Sequence, residues 1–196
     1  MTRHLALLGG TFDPPHVGHL VVASEVRFRG GFDAVHLVVA NDPWQKRGSR
    51  VVTPAADRLA MVEAAVAGHD GLVVDDREIR RGGATYTVDT VEELLAEEPG
   101  VHVSLVLGAD AVAGLDTWHR AAELAELVDV VAVARPGHDL RPVGGHWRTT
   151  VIEVPAIDVS STDIRARSER GEPVDFLVTD AVRSVMVERG LYGGRR

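Results

Sequence analysis

The sequence contains no cysteine, which excludes disulfides and thiolate-held zinc and fits a cytoplasmic setting. It also lacks any apolar run near the roughly 20 residues needed to cross a bilayer. No basic stretch followed by an apolar one marks a secretory signal, so a cytoplasmic protein without a membrane partner is expected. Lysine is almost missing: Lys46 stands alone among 21 basic residues. Set against 29 acidic residues, these leave a net charge of -8, which disfavours a general nucleic-acid binder but permits local cationic clusters. Two common phosphate signatures are absent as well. There is no Gly-x-x-x-x-Gly-Lys-Ser/Thr P-loop and no Gly-x-Gly-x-x-Gly dinucleotide fingerprint. What remains is an ordinary globular composition, 45% apolar and 26% charged over 196 residues. Residues 1–192 are expected to form a single domain with a sizeable core, and 193–196 a disordered tail.

Phosphate chemistry nevertheless has a place in the chain. His4-Leu5-Ala6-Leu7-Leu8 is a short apolar run ending at Gly9-Gly10, the pattern of a buried strand entering a tight turn. Past His16, the apolar residues Val17, Leu20, Val21 and Phe28 recur at helical spacing, so a helix begins near the histidines. A strand, a glycine turn and a helix N-terminus form an anion site. Glycine lets the backbone approach, and the unpaired N–H groups of the first turn point outward. His16 and His19, three apart, can share one face of that turn and donate hydrogen bonds to phosphate oxygens. The pair could instead be solvated or bind a metal, although no third ligand stands at suitable local spacing.

Further strands are expected at 34–40, 71–75, 101–107, 127–134 and 150–154, alternating with helices that start at Thr53-Pro54 and Val91 and close with one ending at Gly190. Residues 76–83 mix both charge signs before Gly82-Gly83 and suggest a surface turn, and 138–148 a polar, glycine-rich surface connection. This alternation predicts an α/β chain: a Rossmann-like, doubly wound, mostly parallel sheet with helices on both faces. The loop Asn41 to Arg50 carries Trp44 and three cations toward the sheet edge where ligands bind in such folds. Thr85 and Thr87 could cap a helix, Gly108-Ala109-Asp110 could start one, and Ser160 with Asp163 could form a capping box. A hydroxyl-rich helix start followed by Arg165 is also a second polyphosphate cradle.

The string Gly9-Gly10-Thr11-Phe12-Asp13-Pro14-Pro15-His16-Val17-Gly18-His19 resembles the signature of the nucleotidyltransferase superfamily. Within it, the chain resembles the bacterial nicotinate-nucleotide adenylyltransferases over nearly its whole length, through Tyr86-Thr87, Asp116-Thr117-Trp118-His119, Arg135-Pro136-Gly137 and Ser160-Ser161-Thr162-Asp163-Ile164-Arg165. The resemblance implies ATP contacts at Gly9, Gly10, Thr11, Phe12, His16, His19, Gly108, Asp110, Arg135, Ser161, Thr162 and Arg165. It implies mononucleotide contacts at Lys46, Tyr86, Thr87, Trp118 and His119. Asp110 would hold the ATP ribose, Trp118 would stack on the nicotinate ring, and Thr87 with its neighbouring N–H groups would receive the pyridine carboxylate. Where the family often carries Pro-Pro-His-Lys, this chain has Trp44-Gln45-Lys46, which leaves open the phosphate that Lys46 faces.

The implied reaction joins AMP from ATP to nicotinate mononucleotide and releases pyrophosphate, with no covalent intermediate. His19, His16 and Arg165 are the expected catalytic residues. Mg²⁺ is expected to arrive on ATP and keep mostly water and phosphate ligands, with no protein cage. Nicotinamide mononucleotide or phosphopantetheine as acceptor, or a nucleotide-binding regulatory module without turnover, are the alternatives. Oligomeric state, a homodimer included, is not fixed by the sequence.

Overall fold

The computed structural model describes residues 2–42, 51–134 and 146–193; the Trp44-Gln45-Lys46 loop, Arg135 and residues 194–196 of the expected tail lie outside them. Among the described residues six strands form one sheet: β1 (His4–Gly10), β2 (Ala34–Val39), β3 (Leu72–Asp75), β4 (His102–Gly108), β5 (Asp129–Ala134) and β6 (Thr149–Glu153). Every pairing is parallel, in the order β3-β2-β1-β4-β5-β6. Among the described residues the helices are α1 (Val17–Gly30), α2 (Ala55–Val66), α3 (Arg77–Arg81), α4 (Thr87–Glu97), α5 (Ala109–Ala113), α6 (Ala121–Leu127), α7 (Ser161–Glu169) and α8 (Asp180–Glu188). None of them is long and apolar enough to cross a membrane.

Side-chain alternation along the strands sorts these helices into two layers. Ala6, Val35, Leu37, Val106 and Val131 point to one face, where Val26 of α1, Met61 and Val62 of α2, Ile164 of α7 and Met186 of α8 cover them. Leu5, Leu7, Leu105 and Val130 point to the other, under Val91 and Leu94 of α4, Val112 of α5 and Leu124 of α6. Buried side chains of this size stabilise by about 1.5–3 kcal/mol each, so both layers hold the sheet firmly. The doubly wound expectation holds, and the sheet is wholly parallel. Its order reverses between β1 and β4, which opens a crevice at their C-terminal ends, beside Gly9-Gly10 and Gly108.

Four local expectations are corrected. The stretch 76–83 is not a surface turn: α3 lies inside it, with Arg77 and Glu78 buried. Helix α4 begins at Thr87, one turn before Val91, and Leu127 closes α6 instead of opening β5. Trp147, placed by composition in a surface connection, is buried against the second layer and donates from Nε1 to Asp116 Oδ1 at 2.9 Å.

Asp75 explains why α3 is drawn inward. Its carboxylate accepts from Arg77 Nε at 2.8 and 2.9 Å and from the Arg77 N–H at 3.1 Å, while His36 Nδ1 lies 3.1 Å away. Arg77 Nη1 also reaches Glu97 at 3.0 Å. Burial alone would push the Asp75 carboxyl up, but the His36 and Arg77 bonds outweigh it and hold it below the usual carboxylate value. A depressed folded-state value contributes stability above the unfolded value, near pH 4, that is lost as the pH falls through the folded one. Asp75→Asn should therefore cost about 2 kcal/mol at neutral pH, with the penalty shrinking below about pH 4 in denaturant melts.

Candidate active site

Helix α1 starts at His16, whose extended backbone (φ -142°, ψ 169°) makes it the N-cap, so His19 is the third helical residue. The His16 N–H donates to His19 Nδ1 at 3.2 Å. Because Nδ1 accepts, a neutral His19 carries its proton on Nε2. The two imidazoles stack with centroids 3.7 Å apart, and Phe12 meets His19 edge-on at 5.0 Å. Gly18 is what permits this packing: a Cβ there would lie 3.0 Å from Val159 and 3.1 Å from His16 Nδ1. Gly10 has a similar reason, since a Cβ would come within 2.8 Å of the Phe12 ring.

The C-terminal motif closes onto this turn. Ser160 caps α7 by accepting from the Asp163 N–H at 3.1 Å, as the sequence suggests. The next hydroxyl, Ser161, donates to the Pro14 carbonyl at 2.8 Å. Arg165 Nη1 donates to the Asp13 carbonyl at 2.7 Å, and its Nη2 donates to Thr162 Oγ1 at 3.1 Å. Tyr192 adds a third tie by donating its hydroxyl to Asp13 Oδ1 at 2.6 Å. Burial and the neighbouring carboxylate push its phenol well above the usual tyrosine range, so it stays a donor at any working pH.

Two cavities flank the crevice and share Ala111. The larger, about 760 Å³, is lined by His16, His19, Gly108, Asp110, Ser161, Thr162 and Arg165, together with apolar residues of β4, β5 and the segment after β6. The two ends of the chain thus meet in one cavity. The smaller, about 260 Å³, is lined by Gly9, Gly10, Thr11, Tyr86, Thr87, Trp118 and His119, and also by Glu78, Thr85 and Thr90. Tyr86 and His119 face each other with ring centroids 4.3 Å apart. Tyr86 is the N-cap of α4 but offers no side-chain cap, and the first-turn N–H groups from Thr87 onward have no intrahelical acceptor. Such a helix start favours an anion. The Trp147–Asp116 bond steadies the turn that leads into Trp118.

The sequence-derived candidates therefore divide between the cavities. Gly9, Gly10 and Thr11 sit in the smaller one, at the crevice floor. Phe12 lines neither: it is buried and serves as a wedge between Gly10 and His19. Lys46 and Arg135 lie outside the described residues. Sequence reading missed Glu78, Tyr192 and Arg58. Arg58 is 1% exposed and donates to the carbonyls of Thr11 and Thr53, both at 2.8 Å, and of Asn41 at 3.0 Å. Among the described residues no cluster of three or more His, Asp or Glu side chains could hold a metal ion.

Residues 7–167 match the cytidylyltransferase-like family. A probable nicotinate-nucleotide adenylyltransferase of Corynebacterium kroppenstedtii is 44% identical over 193 residues, which cover 96% of this chain and 90% of that one. This chain belongs to the nicotinate-nucleotide adenylyltransferase family. A second member, from Streptomyces coelicolor, is 44% identical over 95% of this chain and the whole of its own. The adenylyltransferase fold extends further: a nicotinic acid mononucleotide adenylyltransferase of Plasmodium falciparum, solved with NaAD, superposes with a TM-score of 0.81. It covers 98% of both chains at 15% identity, so what it shares with this adenylyltransferase is the fold.

Proposed function

We propose that the chain transfers the adenylyl group of ATP to nicotinate mononucleotide, giving nicotinate adenine dinucleotide and pyrophosphate. The observation that carries this reading is the pair of adjoining cavities at the β1/β4 switch. The larger has imidazoles, hydroxyls and an arginine for a triphosphate, and the smaller has aromatic faces and a helix start for an anionic ring.

A mononucleotide phosphate is largely dianionic at pH 7, with a second pKa near 6, and needs no general base. One of its oxygens forms a bond to the α-phosphorus of ATP while the bond to the β-phosphate oxygen breaks and pyrophosphate leaves. The chain supplies position and charge. His19, with His16 behind it, donates to the α-phosphate; Arg165, Thr162 and the start of α7 hold the departing oxygens. Asp110, a carboxylate acceptor, suits the ribose hydroxyls. Mg²⁺ carried on ATP would neutralise phosphate charge, and the sparse carboxylates of the cavity fit an ion held mainly by phosphate and water.

In the smaller cavity Trp118 supplies a face for the pyridinium ring, and α4 favours its carboxylate over an amide. Trp118→Ala should raise KM for nicotinate mononucleotide about tenfold while leaving KM for ATP within about twofold, from the usual worth of stacking on an aromatic side chain. The function itself is tested by pyrophosphate release from ATP with nicotinate mononucleotide, nicotinamide mononucleotide and phosphopantetheine in parallel. The acid should turn over fastest. Release with phosphopantetheine alone, or with none of the three, would reject the proposal.

A further inference from the structure

One ionisable side chain in the smaller cavity has no task in the reaction above. Glu78, on α3, is buried and lines that cavity. Its Oε1 accepts from the Thr90 hydroxyl at 2.7 Å, and that hydroxyl in turn accepts from Arg81 Nη2 at 2.9 Å. Arg81 directs its other terminal nitrogen to Glu93 at 2.8 Å, so the Thr90 hydroxyl stands between its guanidinium and Glu78. Among the described residues no cation forms an ion pair with Glu78. Burial pushes its carboxyl above the ordinary glutamate range; the Thr90 and Thr85 hydroxyls and Arg81 pull it back, while Asp75 adds to the rise.

On the reading of the site given above, the same 260 Å³ cavity receives a second carboxylate, on the pyridine ring at the start of α4. Like charges confined this closely cannot both ionise without cost, and the group already buried is the one that takes the proton. We propose that Glu78 is protonated when an acid ligand enters the cavity and ionised again when the ligand leaves, so that binding of the carboxylate, and not of the amide, is coupled to proton uptake. This inference rests on the nicotinate reading of the cavity.

The surroundings do not supply another proton carrier with the same geometry. On α3, Arg77 is engaged by Asp75 and Glu97; on β3, Asp75 is engaged by Arg77 with His36 of β2 beside it. On α4, Glu93 is paired with Arg81. The loop after β2 touches the cavity wall where the Asp42 N–H reaches Thr85 Oγ1 at 3.4 Å. Inside the cavity the remaining titratable groups are Tyr86 and His119, which face each other with ring centroids 4.3 Å apart, His119 being exposed.

Calorimetric titration in buffers of different ionisation enthalpy reads the protons directly. Nicotinate and nicotinamide mononucleotides are compared from about pH 6 to 8, with a non-hydrolysable ATP analogue present throughout. The two ligands carry the same phosphate, so its proton linkage cancels in their difference. Wild type should take up more protons with the acid than with the amide, the excess passing through a maximum that approaches one. Glu78→Gln keeps an acceptor for Thr90 but cannot take the proton. In it the excess should vanish, and the acid should bind several-fold tighter than to wild type near pH 8. No excess in wild type at any pH overturns the proposal whatever the variant does, and so does an excess that survives in Glu78→Gln. If neither mononucleotide binds wild type, the nicotinate reading fails first and takes this inference with it.

Discussion

Replacing His19 with alanine is expected to lower kcat by about 100-fold or more, the usual cost of removing one preorganised donor from a developing charge. The expectation comes from how firmly the ring is held. Its Nδ1 is committed to the His16 N–H, one face is stacked on His16, and the Phe12 ring packs against its edge. A ring fixed on three sides needs no reorganisation when the α-phosphate gains charge, and reorganisation is what a flexible donor in water would have to undergo. Because the donor matters most in the transition state, KM for both substrates should move far less than kcat. Steady-state pyrophosphate release, with circular dichroism to verify folding, measures this. A loss of less than about threefold would remove His19 from the chemistry.

The second large effect is on stability. Arg58→Leu should lower the free energy of unfolding by about 3–5 kcal/mol and the melting temperature by on the order of 10 °C. The guanidinium fork satisfies carbonyls from three separate segments: the signature loop at Thr11, the end of β2 at Asn41 and the entry to α2 at Thr53. Leucine fills the volume but leaves those part-buried acceptors without the donor. Lysine should rescue poorly, since one ammonium cannot reproduce a planar fork aimed at three acceptors. Thermal melts of the two variants decide it, and a leucine variant as stable as wild type would show that water takes over the three carbonyls.

These two residues mark where the chain could be read in advance and where it could not. The place of His19 was legible because its neighbours in sequence are also its neighbours in space: a strand, a glycine pair and a helix start lie within about a dozen residues, the arrangement that suits an anion. The parallel sheet was legible for the same kind of reason. Runs such as Ala34–Val39, and residues 130–132 within β5, are buried on both faces and leave little choice of fold. Arg58 was not legible, since nothing in a single arginine between Asp57 and Leu59 reveals that carbonyls 47 and 17 residues upstream will surround it. Glu78 and Arg77 misled for a related reason. Charges of both signs before two glycines ordinarily belong to solvent, and only the later arrival of Thr90 and Glu97 from α4, with Asp75 beneath, makes burial tolerable. Trp147 needed Asp116, 31 residues away, to satisfy its indole N–H. Polar burial is set by tertiary partners, and a periodicity cannot name them.

In the reaction proposed above, the adenylyl group would sit in the larger cavity, the pyridine ring in the smaller, and the bond between them would form where the two adjoin beside His19. A crystal structure with nicotinate adenine dinucleotide bound tests this most directly. The adenosine should lie by Gly108 and Asp110, the nicotinate ring against Trp118 with its carboxylate at the start of α4, and a phosphate oxygen within about 3 Å of His19 Nε2. A dinucleotide bound in the reverse direction, or with its phosphates out of reach of His19, would contradict it.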